Sequence, residues 1–166
     1  VVFFVRSASE KDVEAIREIL VETWHATYDA FYGEAKVNEL IAAWHRPATI
    51  RASIGKRDGE FLVADDGRQL GGMGYAVMSD TMTKTALLRQ LYVRPAFHGQ
   101  GIGRDIFAEL ETCFPDAEIM RLEVEPRNVR AISFYSRLGF VEVDRTKHCG
   151  AEGSGIEAVI MEKPLL

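Results

Sequence analysis

Apolar residues recur along the chain in two rhythms, and the changes between them mark out its elements. Val2 to Arg6 reads as a strand. Ser9 stands where a helix cap belongs, ahead of Val13, Ile16, Ile19, Leu20 and Trp24, which keep a helical period. An aromatic-rich stretch of Trp24, Tyr28, Phe31 and Tyr32 runs up to Gly33, which breaks the pattern. A second helix is predicted from Val37 to Trp44, with Pro47 ending it soon after. Phe61 to Ala64, the turn Asp65-Asp66-Gly67 and the alternating residues from Leu70 toward Met78 make a hairpin.

Leu87 to Val93 is a further strand, closed by Pro95. After glycines at 99, 101 and 103 a helix carries Ile102, Ile106, Leu110 and Cys113 on one face and stops at Pro115. Ile119 to Val124 is a strand and Val129 to Leu138 a short helix stopped by Gly139. Phe140 to Thr146 and Ile156 to Met161 are the last two strands. The order is strand, two helices, a run of strands, then helix, strand, helix, strand, strand, which is a mixed α/β arrangement. With no linker, repeat or low-complexity stretch in 166 residues, one domain spanning residues 1–166 is expected.

Composition narrows the class. Hydrophobic residues make up 47%, charged residues 27% and aromatics 10%, which excludes disorder and collagen-like repeats and leaves enough apolar material for a core. No apolar run approaches the roughly 18 residues that a spanning helix needs, so no membrane association is expected. Twenty basic residues against twenty-five acidic ones, a net charge of −5, lack the surplus of cations that holds a phosphate backbone. Nucleic acid is therefore not the expected partner. The acidic balance suits a cationic substrate and equally suits simple solubility. Two cysteines, Cys113 and Cys149, are too few for a disulfide framework, and no cationic leader precedes a long apolar segment, so reducing cytoplasm is the expected compartment. Four scattered histidines and two separate cysteines show no metal-ligand spacing, and no metal is expected.

The chemistry concentrates in two segments. In the first, Val93 to Arg104, a strand leads through Gly99, Gly101 and Gly103 into a helix. Glycines permit positive φ and close backbone approach, so consecutive amides at the helix start can converge on a phosphate. A dinucleotide fingerprint would need glycine or alanine where Arg104 stands, and a P-loop would need Gly-Lys followed by Ser or Thr; neither fits. The second segment runs from Leu122 to Phe140 and contains Asn128, Ala131, Phe134, Tyr135, Gly139 and Phe140.

Together these segments resemble the GNAT superfamily of acetyl-CoA-dependent N-acetyltransferases. The family pattern of Arg or Gln, two residues, Gly, one residue, then Gly or Ala falls on His98, Gly101 and Gly103, with His98 departing from it. The family's Asn, two residues, Ala, two residues, Phe-Tyr, then Gly-Phe is matched by Asn128, Ala131, Phe134, Tyr135, Gly139 and Phe140. The resemblance covers nearly the whole chain. It implies an α/β single-domain GNAT-like fold, with a mixed, mostly antiparallel central sheet of about seven strands flanked by about four helices.

What the resemblance implies for chemistry is specific. The pantetheine arm of acetyl-CoA would lie along the strand before the glycine loop, on Leu91, Tyr92 and Val93, pairing like an added strand. An amide near Leu91 or Tyr92 would stabilise the oxyanion of the tetrahedral intermediate formed by direct amine attack. The pyrophosphate would rest on the loop His98, Gly99, Gln100, Gly101, Ile102, Gly103 and Arg104. Asn128, Ala131, Phe134 and Tyr135 would also meet the cofactor, while Asn128 equally suits a helix cap. A thiol with a pKa of about 8.5 leaves more readily than a phenol of about 10 loses its proton. Tyr135 is thus expected to act on the departing sulfur as a hydrogen-bond donor.

The attacking amine must be neutral, so a base or water relay is needed. Many relatives carry Glu in the strand before the glycine loop, where this chain has Arg89-Gln90. Glu123, Glu125 and His148 are the remaining candidates, each with a plain reading as a surface charge. For the acceptor, the family's usual specificity regions are the loop between the first two helices and the last two strands. The first would bring Trp24, Tyr28, Phe31 and Tyr32, residues whose spacing equally suits core packing. The second would bring the polar stretch His148, Cys149, Gly150, Glu152 and Gly153. Cys149 with His148 as an acyl-carrying pair lacks a third orienting residue. The leading expectation is acetylation of a small primary amine. Alternatives are a protein or peptide N-acetyltransferase and a non-catalytic acyl-CoA sensor; a homodimer is left open.

Overall fold

The first helix is anchored by a carboxylate serving two elements at once. Asp12, buried at the helix start, accepts the backbone N–H of Ser9 at 2.8 Å and the terminal guanidinium nitrogens Nη1 and Nη2 of Arg6 at 2.9 and 2.8 Å. The Arg6 hydrogen bonds hold the Asp12 carboxyl below the usual carboxylate range. Strand β1 (Phe4–Ser7) is thereby tied to a 3-10 turn (Glu10–Asp12) and to helix α1 (Val13–Tyr32). The structure is a computed structural model that describes residues 2–149 and 154–165. Gly150, Glu152 and Gly153 of the expected acceptor stretch lie outside the described residues.

The remaining elements are α2 (Glu34–Trp44), α3 (Pro47–Ile54), β2 (Gly59–Asp65), β3 (Leu70–Met78), β4 (Thr85–Val93), a 3-10 turn (Pro95–Phe97), α4 (Ile102–Leu110), β5 (Ile119–Val124), α5 (Val129–Leu138), β6 (Val141–Thr146) and β7 (Ala158–Pro164). The strands hydrogen-bond in the order β1-β2-β3-β4-β5-β7-β6. The β4–β5 pair is parallel, and the β1–β2, β2–β3, β5–β7 and β6–β7 pairs are antiparallel. This is the expected mixed, mostly antiparallel seven-stranded sheet. Among the described residues five α-helices accompany it, where about four were expected. The additional one is α3, which Pro47 starts: a fixed φ and a missing N–H are harmless in a helix's first turn, where the amide has no intrahelical acceptor.

The chain divides into two compact units. Val1–Val77 with Gln90–Cys113 forms the first, whose core includes Ile16, Ile19, Leu20, Val37, Val63, Met73, Ile106, Phe107 and Leu110. Here Gly74 on β3 matters for position. A Cβ at Gly74 would come within 2.6 Å of Ile106 Cγ2 and 3.0 Å of Leu110 Cδ1, so the absent side chain is what seats α4. Met78–Arg89 with Phe114–Leu166 forms the second unit, with Met120, Leu122, Val124, Phe140, Val159, Ile160 and Met161 buried. Among the described residues no helix is long and apolar enough to cross a membrane.

Candidate active site

In the first unit the site begins where β4 outruns its partner. The parallel ladder joins Thr85–Leu87 to Ile119–Arg121, yet β4 continues to Val93. Leu91, Tyr92 and Val93 are half-buried on that extension. Its end is held by Arg94, which the sequence motifs do not single out. Arg94 donates its backbone N–H to Gly71 O at 2.9 Å, Nε to Leu70 O at 2.9 Å and Nη1 to Glu22 Oε2 at 2.7 Å, and Nη2 lies 3.6 Å from Glu18 Oε2. Strand β3 and helix α1 thus pin the point at which the glycine loop departs. A Glu at two positions one helical turn apart, ahead of a lone Arg after a strand, is too common a pattern to mark such a clamp.

The loop itself is built as the glycine spacing requires. His98 is exposed, and its Nε2 lies 2.9 Å from Val93 O, so Nε2 carries the proton and ties the loop back onto β4. Gly99 and Gly101 take φ of +80° and +82°, conformations that side-chain-bearing residues rarely adopt. Gly101 caps α4, and its carbonyl accepts the N–H of Asp105 at 2.9 Å. Ile102, Gly103 and Arg104 then occupy the first turn, whose amides have no acceptor within the helix. The Arg104 guanidinium stands over the turn, 3.1 Å from where a Gly101 Cβ would be. Amides, helix dipole and guanidinium make an anion cradle able to take a pyrophosphate.

The aromatic stretch is corrected by the structure. Trp24, Tyr28, Phe31 and Tyr32 lie on α1 itself and not in a loop after it, because the helix runs to Gly33, whose φ of +83° ends it. Trp24 and Tyr28 are buried, with ring centroids 4.8 Å apart; Trp24 also meets Trp44 at 5.7 Å. Phe31 and Tyr32 are half-buried beside Tyr28, at 6.5 and 6.0 Å.

In the second unit, Asn128 caps α5 by accepting the Ala131 N–H at 3.2 Å. No residue of α5 is buried, so Ala131, Phe134 and Tyr135 all keep accessible surface on it. Tyr135 packs edge-on against Phe134 and Phe140, with centroids 5.4 and 5.7 Å away. Glu123 is exposed on β5. Glu125 is buried just beyond it and accepts from Arg127, at 3.1 Å from the backbone N–H and 3.0 Å from Nε.

Cys149 donates its backbone N–H to Ile156 O at 2.9 Å. Burial, the charge of Glu123, a hydrogen bond to Glu123 and the charge of Glu125 push its thiol up to about 12 against a weaker opposing pull from Arg89. At neutral pH it is a hydrogen-bond donor to a carboxylate and not a nucleophile. His148 is exposed, its backbone N–H 3.1 Å from Thr146 Oγ1. Among the described residues, no three His, Cys, Asp or Glu side chains are grouped as metal ligands would be. In the second unit, then, Glu123 is within hydrogen-bond reach of Cys149, and the charges of Glu125 and Arg89 also act on that thiol.

Known proteins are similar to this chain in sequence and in fold. The sequence model of the acetyltransferase (GNAT) domain matches residues 57–142. A spermidine N(1)-acetyltransferase of Thermoplasma acidophilum is 30% identical over 146 residues, covering 82% of this chain and 86% of its own. The PaiA N-acetyltransferase of Thermoplasma acidophilum, crystallised in complex with coenzyme A, superposes at TM-score 0.85 with 26% identity over 99% of each chain. An acetyltransferase of the GNAT family from Staphylococcus aureus Mu50 superposes at TM-score 0.76 with 14% identity, again over 99% of each chain, a likeness of fold alone.

Proposed function

The chain belongs to the GNAT acetyltransferase family, and from that premise we propose that it moves an acetyl group from acetyl-CoA to a small primary amine by direct attack. The observation that carries this reading is the β4 extension, Leu91 to Val93, running past the end of the β5 ladder into a loop with two positive-φ glycines and a helix start. An extended pantetheine arm can add to such a strand edge. The amides of Ile102, Gly103 and Arg104, with the Arg104 guanidinium, suit its pyrophosphate.

Acetyl-CoA supplies an activated thioester; the chain's residues hold it and manage two protons. Tyr135 donates a hydrogen bond to the departing sulfur. Full proton transfer from an ordinary phenol to such a thiolate runs uphill by about 1.5 pKa units, roughly 2 kcal/mol, so donation and not transfer is the expected role. Glu123 is the group assigned to the amine proton, because it stands exposed on β5, where a carboxylate that accepts from Cys149 has a second oxygen to offer, while Glu125 is buried with an oxygen committed to Arg127. The spermidine N(1)-acetyltransferase relative supports a small-molecule acceptor over a protein one.

The test is thiol release from acetyl-CoA across small amines, amino acids, polyamines and peptides, with acetyl-CoA binding followed in parallel by thermal shift. Release with a small amine is the expected result. Binding without release from any amine would favour an acyl-CoA sensor, a reading to which Arg89-Gln90 lends weight because neither side chain takes a proton. Absence of binding would overturn the cofactor assignment.

A further inference from the structure

Three donor atoms in the first unit have no acceptor among the described residues: Arg17 Nε, Trp24 Nε1 and His45 Nε2. Trp24 is 8% exposed and His45 4%, so bulk water does not serve them. Their rings meet edge to face with centroids 5.0 Å apart. Arg17 lies two turns earlier on the same face of α1, near enough for its charge to act on the His45 imidazole. It makes no ion pair among the described residues.

The protonation of His45 follows from its other nitrogen. Nδ1 lies 3.4 Å from the Gln90 side-chain amide nitrogen, which can only donate, so the ring proton sits on Nε2. Burial, helped by Arg17, pushes the imidazole down to about 4, and the ring is neutral near pH 7. The three orphaned atoms are therefore N–H donors, one of them on a cation.

A cluster made only of donors selects its occupant. A water molecule would satisfy two of them and leave its own protons without an acceptor in the cluster. A carboxylate offers two oxygens, several lone pairs and the charge that complements Arg17. Gln90 places the cluster beside Leu91 to Val93, the strand assigned above to the acetyl donor. We propose that Arg17, Trp24 and His45 form a subsite for a carboxylate carried by the acceptor amine. This rests on the acetyltransferase reading and narrows it: an amino-acid-type amine is the preferred acceptor, and a polyamine, which lacks the carboxylate and meets the charge of Arg17, is disfavoured.

The experiment compares ornithine with putrescine and lysine with cadaverine, pairs that differ by the carboxylate, in thiol release by the whole chain. Wild type is expected to favour the carboxylate member at least tenfold in kcat/KM, and Arg17→Gln and His45→Phe to shrink that ratio toward one, chiefly through KM. Equal or greater activity on putrescine and cadaverine, or variants that alter both members alike, would overturn the subsite. If His45→Phe fails to fold, Arg17→Gln, at a half-buried position without an ion partner, decides. Calorimetric binding of ornithine to wild type and Arg17→Gln separates this inference from the catalytic one. Binding that Arg17→Gln loses, without thiol release from any amine, would sustain the subsite and fail the transferase reading; no binding of ornithine would overturn the subsite.

Discussion

The role proposed for Tyr135 rests on its oxygen and not on its ring. Its ring is held between Phe134 and Phe140, and a phenylalanine would keep those edge contacts. Tyr135→Phe should accordingly lower kcat by about tenfold or more, the scale of one lost hydrogen bond to a developing charge, while acetyl-CoA affinity stays near wild type. Steady-state thiol release with binding by thermal shift checks this, and unchanged turnover would remove Tyr135 from the chemistry. His45 has a thermodynamic consequence of its own. Its folded-state pKa of about 4 lies below the ordinary 6.5, so the unfolded chain binds the proton first as pH falls. The stability associated with a neutral His45 is intact above about 6.5 and is lost as pH falls through about 4, of order 3 kcal/mol at most. Urea unfolding between pH 7 and pH 4.5 should show this decline in wild type and a shallower one in His45→Phe. Asp12, whose carboxyl is held down by Arg6, contributes its own loss only at lower pH.

At the level of elements, α4 depends on two different uses of glycine. Gly101 lets the chain turn into the helix, and Gly74 lets the helix lie close on β3. Gly74→Val would drive a branched side chain against Ile106 and Leu110, both fully buried, and should destabilise the protein by about 1 to 3 kcal/mol by denaturant midpoint. An unchanged midpoint would mean that α4 moves aside at little cost. Legibility differs between these elements for physical reasons. Strand β5 and helix α5 fall on the residues that periodicity marks, Ile119–Val124 and Val129–Leu138, because each is closed by a local signal: Pro126 and Asn128 between them, Gly139 after. Helix α3 is not legible that way, since a proline reads as a stop when it follows a helix and as a start when it opens one. The α1 aromatics are the third case. Helical spacing allows both a buried stripe and a pocket wall, and only neighbours such as Trp44 and His45 place Trp24 in the core.

For the whole molecule, ligand binding is the property that joins loop geometry to global stability. A ligand that binds only the folded chain stabilises it by RT ln(1 + [L]/Kd), about 2.7 kcal/mol at one hundred times Kd. Saturating acetyl-CoA should therefore raise Tm by several degrees in wild type and leave Gly101→Glu unmoved, because that variant places bulk and negative charge in the anion cradle. Equal shifts in both proteins would discredit the loop assignment. By itself the sequence determined the order of strands and helices apart from α3, the glycine turn, the Asn128 cap and the family, since periodicity, caps and turns are local properties that a few neighbouring residues impose. Tertiary structure alone decided that Arg94 clamps the end of β4 to Leu70, Gly71, Glu18 and Glu22 and that Glu123 and Glu125 bear on Cys149. It also decided that Arg17, Trp24 and His45 are left as buried donors in one neighbourhood. Each of these depends on residues far apart in the chain being brought within hydrogen-bond or Coulomb range and removed from water, and no local pattern encodes that.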